Sequence, residues 1–422
     1  MRHAPWRARG ANGCAATPRR GEPDHRLGPG GRERVNGEEG VGATYDVDVL
    51  RGAEFPWTSD TVYLNNASIG PLPERTRLTL DRFNRRRAAP HLLPDREMFA
   101  MLSDTREKIA RLIGASSDEI ALTLNTGYGI GMAARALPLE PGDIVLVSDK
   151  EFPANVYPWM RLGDRGVVME LVPTTAEGWP DEARLLERLR DPRVRALAVS
   201  LVQFSSGYLV DLERLSAATR ESGAYLVVDA IQAVGQLPVD VSRVEVDLLA
   251  CGAQKWLLSP WGSGFVYVRR ELIARLDPVI TGWLAFEGTD DLSRLTSYDD
   301  TLRADARRFE LMTLPYQDFA GFNSSLDLIL ELRVETIRDH IRSLHQPVLA
   351  WAERSGARVA SPQGPNGSGI LCVSPESVKE VHRRLKASRI VCSLREGAIR
   401  LSPHCYNTVE EMERVAHVLA GD

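Results

Sequence analysis

Between Glu119 and Val268 short aliphatic runs alternate with helical patterns, and this alternation restricts the possible folds most. EIALTL (119–124), DIVLVSD (143–149), VVMELVP (167–173), RALAVSLVQF (195–204) and AYLVVDA (224–230) read as strands. Helical segments separate them: the stretch after Asn125-Thr126-Gly127, then DEARLLERLR, then LERLSAATRESG. Strands interleaved with helices imply an α/β fold, a mostly parallel sheet covered on both faces. Ahead of this region, VYLNNASIGPLP (62–73) is a short strand breaking into a polar loop, and two amphipathic helices are expected near 74–89 and 95–113.

After about residue 316 the pattern changes. A long helical run from Phe319 to about Trp351 is followed by short strands near 368–373, 389–394 and 397–401 and a final helix near 408–419. Residues 46–315 are therefore expected to form a large domain and 316–422 a smaller α+β domain, with the first residues of the large domain free to pack against the small one. Residues 1–45 stand apart. They are rich in Arg, Gly and Pro and poor in aliphatics, a composition that cannot bury a core. They lack the apolar stretch of a secretory signal, and with no Ser and five acids in the first forty residues they do not fit a transit peptide. The expectation is a disordered tail, or residues read from a start codon upstream of the native one.

The chemistry concentrates from Ala224 to Val268. Asp229 closes one apolar run and Lys255 follows the next, 255 − 229 = 26 residues later. In open α/β sheets the strand ends border the crevice where ligands bind. An Asp and a Lys brought there suit pyridoxal 5′-phosphate: the amine forms a Schiff base with the cofactor aldehyde, and the carboxylate keeps the ring nitrogen protonated. Gln232, three residues after Asp229, can donate to the phenolic oxygen. Asn125-Thr126-Gly127 lies between a strand and a helix, where backbone N–H groups can face a phosphate. Thr126 adds a hydroxyl and Gly127 permits close approach.

Composition narrows the class further. A net charge of −5 in 422 residues suggests no field for nucleic acid. Five cysteines, an odd number without a C-x-x-C pair, fit a reducing compartment and argue against a disulfide framework or a metal site. No apolar run approaches the roughly 18 residues of a membrane span. The expectation is a cytoplasmic enzyme with a small-molecule substrate.

Val228-Asp229-Ala230-Ile231-Gln232 and Cys251-Gly252-Ala253-Gln254-Lys255 resemble the lysine region of the class V aminotransferase family, which includes cysteine desulfurases, kynureninase and isopenicillin N epimerase. The resemblance runs from about Tyr63 to the C-terminus. It implies a fold-type I pyridoxal phosphate enzyme, a homodimer with sites at the subunit boundary. By the same resemblance Lys255 and Asp229 are catalytic, Thr126 and Gly127 belong to the phosphate loop, and Gln254 replaces a phosphate-binding histidine. Phe152, in EFPAN, takes the place of the ring stacked on the cofactor. Trp283, in ITGWLAFEG, would reach the phosphate region. Arg400, in R-x-S-x-x-x-Y-N, matches the substrate arginine, a planar fork for an α-carboxylate; Asn66 joins it as a substrate-binding candidate.

Departures from the family narrow the reaction. A desulfurase carries its nucleophilic Cys on a loop between two Arg-bearing strands. Here CSLREGAIRLSPHCYNT leaves Arg395 and Arg400 five residues apart, with Cys392 before and Cys405 after them. ARRFELMTL (306–314) degrades the family's R-F-E-x-G-T-P. The implied activity is an aminotransferase or a Cβ–S/Cβ–X lyase, with amino-acid epimerisation as the alternative. A desulfurase or a non-catalytic cofactor-binding module is less favoured.

Overall fold

The computed structural model describes residues 45–421 apart from Val279 and Met312. The expected tail therefore lies outside the described residues except for its last position, as do Cys14 and Met312 of ARRFELMTL. Thirteen strands are described: β1 (Val62–Tyr63), β2 (Ile120–Thr123), β3 (Ile144–Ser148), β4 (Val168–Val172), β5 (Val194–Ser200), β6 (Tyr225–Asp229), β7 (Leu248–Gly252), β8 (Gly264–Val268), β9 (Arg358–Val359), β10 (Leu371–Ser374), β11 (Ile390–Val391), β12 (Ser393–Arg395) and β13 (Ala398–Leu401).

β2 to β8 form one sheet in the order β2-β8-β7-β6-β5-β3-β4. Every pairing in it is parallel except those of β8, which runs antiparallel to β2 and β7. Strands β2, β3, β6, β7 and β8 are buried almost throughout because helices cover both faces. One apolar cluster contains Leu122, Leu146, Leu197, Val228 and Leu249, and the other contains the neighbours that point the opposite way, Ala121, Val145, Ala198, Val227 and Ala250. The period-2 alternation of strand side chains sorts them between the two layers.

Helices Glu74–Arg87 and Asp95–Ile113 fall where expected. The second ends at Gly114, whose φ of 70° turns the chain through the left-handed region that glycine favours. The expected run to Trp351 is two helices, Tyr316–Leu332 and Val334–Ser355, parted at Arg333 with φ 64°. No Gly or Pro marks that break, so no local signal announced it.

In the C-terminal part, β9, β10, β12 and β13 form an antiparallel sheet in the order β12-β13-β10-β9. β1 pairs in parallel with β11, and Asn65 bridges to Ser402. Helix Val47–Glu54 and the turn after it are additions to the sequence reading. Arg51 donates to the Tyr406 carbonyl at 2.7 Å and pairs with Glu411 at 2.8 Å, fastening the start of the described chain to its end. No described helix is long and apolar enough to cross a membrane.

Candidate active site

The parallel register that sets β6 between β5 and β7 aligns Asp229 with Ser200 on one side and Ala250 on the other. Asp229 thus ends a central strand and is only 2% exposed. Its Oδ1 accepts the Ile231 N–H at 3.0 Å, and among the described residues its other oxygen has no hydrogen-bond partner. Burial raises its pKa to about 7, against the pull of the Ile231 N–H; the nearby Glu151 adds to the rise and Lys255 opposes it.

β7 ends at Gly252, and Lys255 lies in the turn before β8. Ala253 N–H donates to Ser263 O at 3.0 Å and Leu258 N–H to Lys255 O at 3.2 Å, with Leu258 at φ 53°. Gly70 N–H donates to Gln254 O at 2.8 Å, and a Cβ on Gly70 would come within 2.1 Å of Lys255 O. Only a glycine lets the loop after β1 lie this close to the lysine turn. Beneath it, the buried Trp256 indole donates to Gln232 Oε1 at 2.8 Å, and its carbonyl accepts from His404 Nε2 at 3.0 Å. Burial lowers the Lys255 pKa to about 8, with Arg400 and Arg395 contributing and Asp229 opposing.

Thr126 opens helix Thr126–Ala136, where Asn125 caps the Tyr128 N–H at 2.9 Å. The Thr126 hydroxyl accepts the Gly252 N–H at 2.8 Å, tying the helix start to the end of β7. The first amides of a helix have no partner within it, so this end favours anions. Phe152 is 44% exposed and meets Phe204 edge-on at 5.3 Å, while the Lys255 Nζ stands 5.6 Å from its ring centre.

Arg400, on β13, is 1% exposed. Its Nε donates to Ser393 Oγ at 3.2 Å, Nη1 to Phe204 O at 2.6 Å and Nη2 to Ser68 Oγ at 2.7 Å. Among the described residues no carboxylate lies within 4 Å of it. Burial and the neighbouring Arg395 lower its pKa to about 10. The hairpin β12–β13 turns on Glu396 and Gly397 alone, with φ 43° and 77°. That two-residue turn leaves no room for a cysteine-bearing loop, and none of the four described cysteines lines the cavity.

One cavity of about 440 Å³ brings together Thr126, Gly127, Phe152, Asp229, Gln232, Gln254, Lys255 and Arg400. Two expected residues are elsewhere. Asn66 is fully buried with its amide committed: Nδ2 donates to Ser402 O at 2.8 Å and Oδ1 accepts from Tyr406 OH at 3.0 Å. It holds the β1 loop to the C-terminal segment rather than facing the cavity. Trp283 lines a different cavity with Phe286 and Tyr298. In ARRFELMTL the described Glu310 accepts a bidentate pair from Arg106 and the Leu122 N–H at 2.9 Å, a purely structural fastening of the sheet edge.

Sequence reasoning passed over Ser68, Phe204 and Glu151. Glu151 lies behind the cavity, accepting from Ser200 N at 2.7 Å, from Gln203 Nε2 at 2.7 Å and from the Ser200 hydroxyl; burial raises its pKa. Its place beside Phe152 in EFPAN was the available signal.

The donor set fits pyridoxal 5′-phosphate. An anionic group suits the start of helix Thr126–Ala136, a flat ring suits the exposed face of Phe152, and a ring cation suits the carboxylate oxygen that Asp229 leaves without a partner. Gln232, with one amide hydrogen on Ala67 O at 2.9 Å, keeps a second for a phenolic oxygen.

Comparison with known proteins agrees. A model of the aminotransferase class-V family matches residues 62–415. An uncharacterised aminotransferase of Bacillus subtilis (strain 168), YcbU, is 30% identical over 316 residues, 75% of this chain and 82% of that protein. The isopenicillin N epimerase of Streptomyces clavuligerus is 29% identical over 382 residues, 85% of this chain and 94% of its own. Among solved structures, the apo cysteine desulfurase of Thermococcus onnurineus NA1 superposes with a TM-score of 0.80 at 21% identity, covering 90% of this chain and 99% of that one.

Proposed function

The chain belongs to the class V aminotransferase family of pyridoxal 5′-phosphate enzymes, and we propose that it acts at the α-carbon of an α-amino acid with Lys255 as cofactor anchor and proton carrier. The observation that carries this reading is the convergence of a lysine of lowered pKa, a buried aspartate and a buried, carboxylate-free arginine on one cavity. When bound, the cofactor supplies an electron sink for the electron pair left at the α-carbon.

The protein's own residues do the rest. The amides at the start of helix Thr126–Ala136, with the Thr126 hydroxyl, hold the phosphate. Gln254 stands beside them, its Oε1 packed over Gly252. Asp229 would hold the proton on the ring nitrogen, and Phe152 would shield the ring from water. Arg400 takes the α-carboxylate in two parallel hydrogen bonds. The Lys255 amine, neutral at pH above about 8, removes the α-proton and returns it.

Beyond Asp229, assigned to the ring nitrogen, the titratable groups lining the cavity among the described residues of one subunit are Lys255, Arg395 and Arg400. One base suffices to take a proton from the α-carbon and redeliver it on the same face, or to expel a β-substituent. Epimerisation needs a second proton donor on the face opposite the base, and beyond Asp229 the described lining residues offer Lys255 alone as a group that gives up its proton near neutral pH. The reading is therefore an aminotransferase or Cβ–X lyase. Sites at a homodimer boundary and a cytoplasmic setting accompany it, the latter supported by the four unpaired described cysteines.

A panel of L-amino acids, each assayed with and without a 2-keto acid as amino acceptor, tests it. Keto acid should form, with ammonia if a β-substituent is lost, while recovered substrate stays optically pure. Racemised substrate without keto acid would reverse the choice.

A further inference from the structure

Arg395 is the second arginine of the cavity. It occupies the last position of β12, opposite Ala398, while Arg400 stands opposite Ser393. Side chains alternate along a strand and directly paired residues share a face, so Arg395, Ser393, Ala398 and Arg400 all lie on one face of the hairpin. The two arginines are diagonal neighbours set two residues apart along the ladder, roughly 7 Å. Glu396-Gly397 closes the hairpin without slack, which fixes the spacing of the two backbone positions.

Neither guanidinium is neutralised. Arg400 is held by two hydroxyls and a carbonyl. Arg395 donates to its neighbour's carbonyl, Leu394 O, at 2.9 Å. Among the described residues no carboxylate lies within 4 Å of either. The cavity thus carries Lys255, Arg395 and Arg400 against Asp229 alone. Arg395 is exposed at the rim, and its charge lowers the pKa of both Arg400 and Lys255. Arg400 is buried and Arg395 is at the surface, and a ligand with two negative charges can match both cations.

The geometry points to a substrate with two anionic groups: an amino acid whose side chain ends in a carboxylate or similar anion, with its α-carboxylate on Arg400 and its side-chain anion on Arg395. Two carboxylates joined by a short chain suit two arginines whose backbone positions lie one ladder repeat apart on the same face. This rests on the reading of Arg400 as the α-carboxylate anchor. Arg395 then sets specificity: at the rim it selects for the second charge, and a neutral side chain leaves it unmatched.

Binding to the holoenzyme tests this without requiring turnover. Calorimetry at fixed salt would compare glutarate, a diacid, with butyrate, a monoacid, on wild type, Arg395→Gln and Arg400→Lys. Glutarate should bind wild type at least about tenfold tighter, the worth of one charge-assisted pair. Arg395→Gln should erase that advantage while leaving butyrate unchanged. Aspartate and glutamate should likewise exceed asparagine and glutamine in kcat/KM by about tenfold or more, and lose the margin in Arg395→Gln. Equal binding of diacid and monoacid, or a preference that survives Arg395→Gln, overturns the inference. Unchanged binding of both probes in Arg400→Lys would instead remove the α-carboxylate anchor and the functional reading beneath it.

Discussion

Replacing Asp229 with Asn keeps the shape of the side chain and the oxygen that accepts the Ile231 N–H but removes the ionisable group. In the cofactor-free protein burial raises the Asp229 pKa from 3.8 to about 7, which corresponds to roughly 4 kcal/mol against the charged form. Between those two values the folded protein holds a proton that the unfolded chain has released, so stability falls as pH rises through this window and levels off above pH 7. Asparagine has no such dependence. Cofactor-free Asp229→Asn should therefore gain on wild type with rising pH, by about 2–3 kcal/mol between pH 5 and pH 8. Urea unfolding of both proteins across that range measures the gain. The same substitution should weaken cofactor binding at pH 8 by about 1.5–3 kcal/mol, since a charge-assisted bond to the ring cation is lost. A strained, destabilising charge in the empty cavity that becomes an asset on binding is the signature of a site built for a cation. Parallel stability profiles, or an Asn variant less stable than wild type at pH 8, would refute the reasoning.

Lys255, with its pKa lowered to about 8, should capture the cofactor aldehyde with a rate that rises about tenfold per pH unit up to a midpoint near 8, followed by stopped-flow absorbance; a midpoint near 10.5 would mark an exposed lysine. Changing Cys392 and Cys405 together to Ser should leave kcat within about twofold, because burial pushes the Cys392 thiol up to about 12 and raises that of Cys405; loss of turnover in soluble, cofactor-loaded protein would restore a persulfide mechanism. Arg400→Lys should lower kcat/KM for amino acids by roughly ten- to more than a hundredfold, as an ammonium cannot form the two-point fork. Cofactor loading should stay normal, and unchanged turnover would place the carboxylate elsewhere.

The parts of the molecule legible beforehand are those fixed by local pattern. Five Val/Leu-rich runs became five strands of one sheet because strand length and burial are written in consecutive residues, and Asp229 and Lys255 were found because each follows such a run. What escaped depends on the chain meeting itself at long range. Asn66 has the polarity of a ligand-binding residue, yet Ser402 and Tyr406, more than three hundred residues away, claim its amide. Ser68 and Phe204 hold Arg400 through contacts that no spacing encodes. The shortened Arg395–Arg400 segment was visible, but that it folds as a tight hairpin presenting both arginines on one face follows only from the register. Arg333 broke a helix without the Gly or Pro that usually marks such a place.

The proposed chemistry depends on Lys255 carrying the cofactor. The chain has five lysines, at 108, 150, 255, 379 and 386, so the claim can be read directly. Borohydride reduction of the yellow holoenzyme followed by tryptic mapping should put one cofactor per subunit on the peptide Val244–Arg269, uncleaved at a blocked Lys255. Lys255→Ala should carry none. Label on any of the other four lysines, or colour and label retained in Lys255→Ala, would contradict the account.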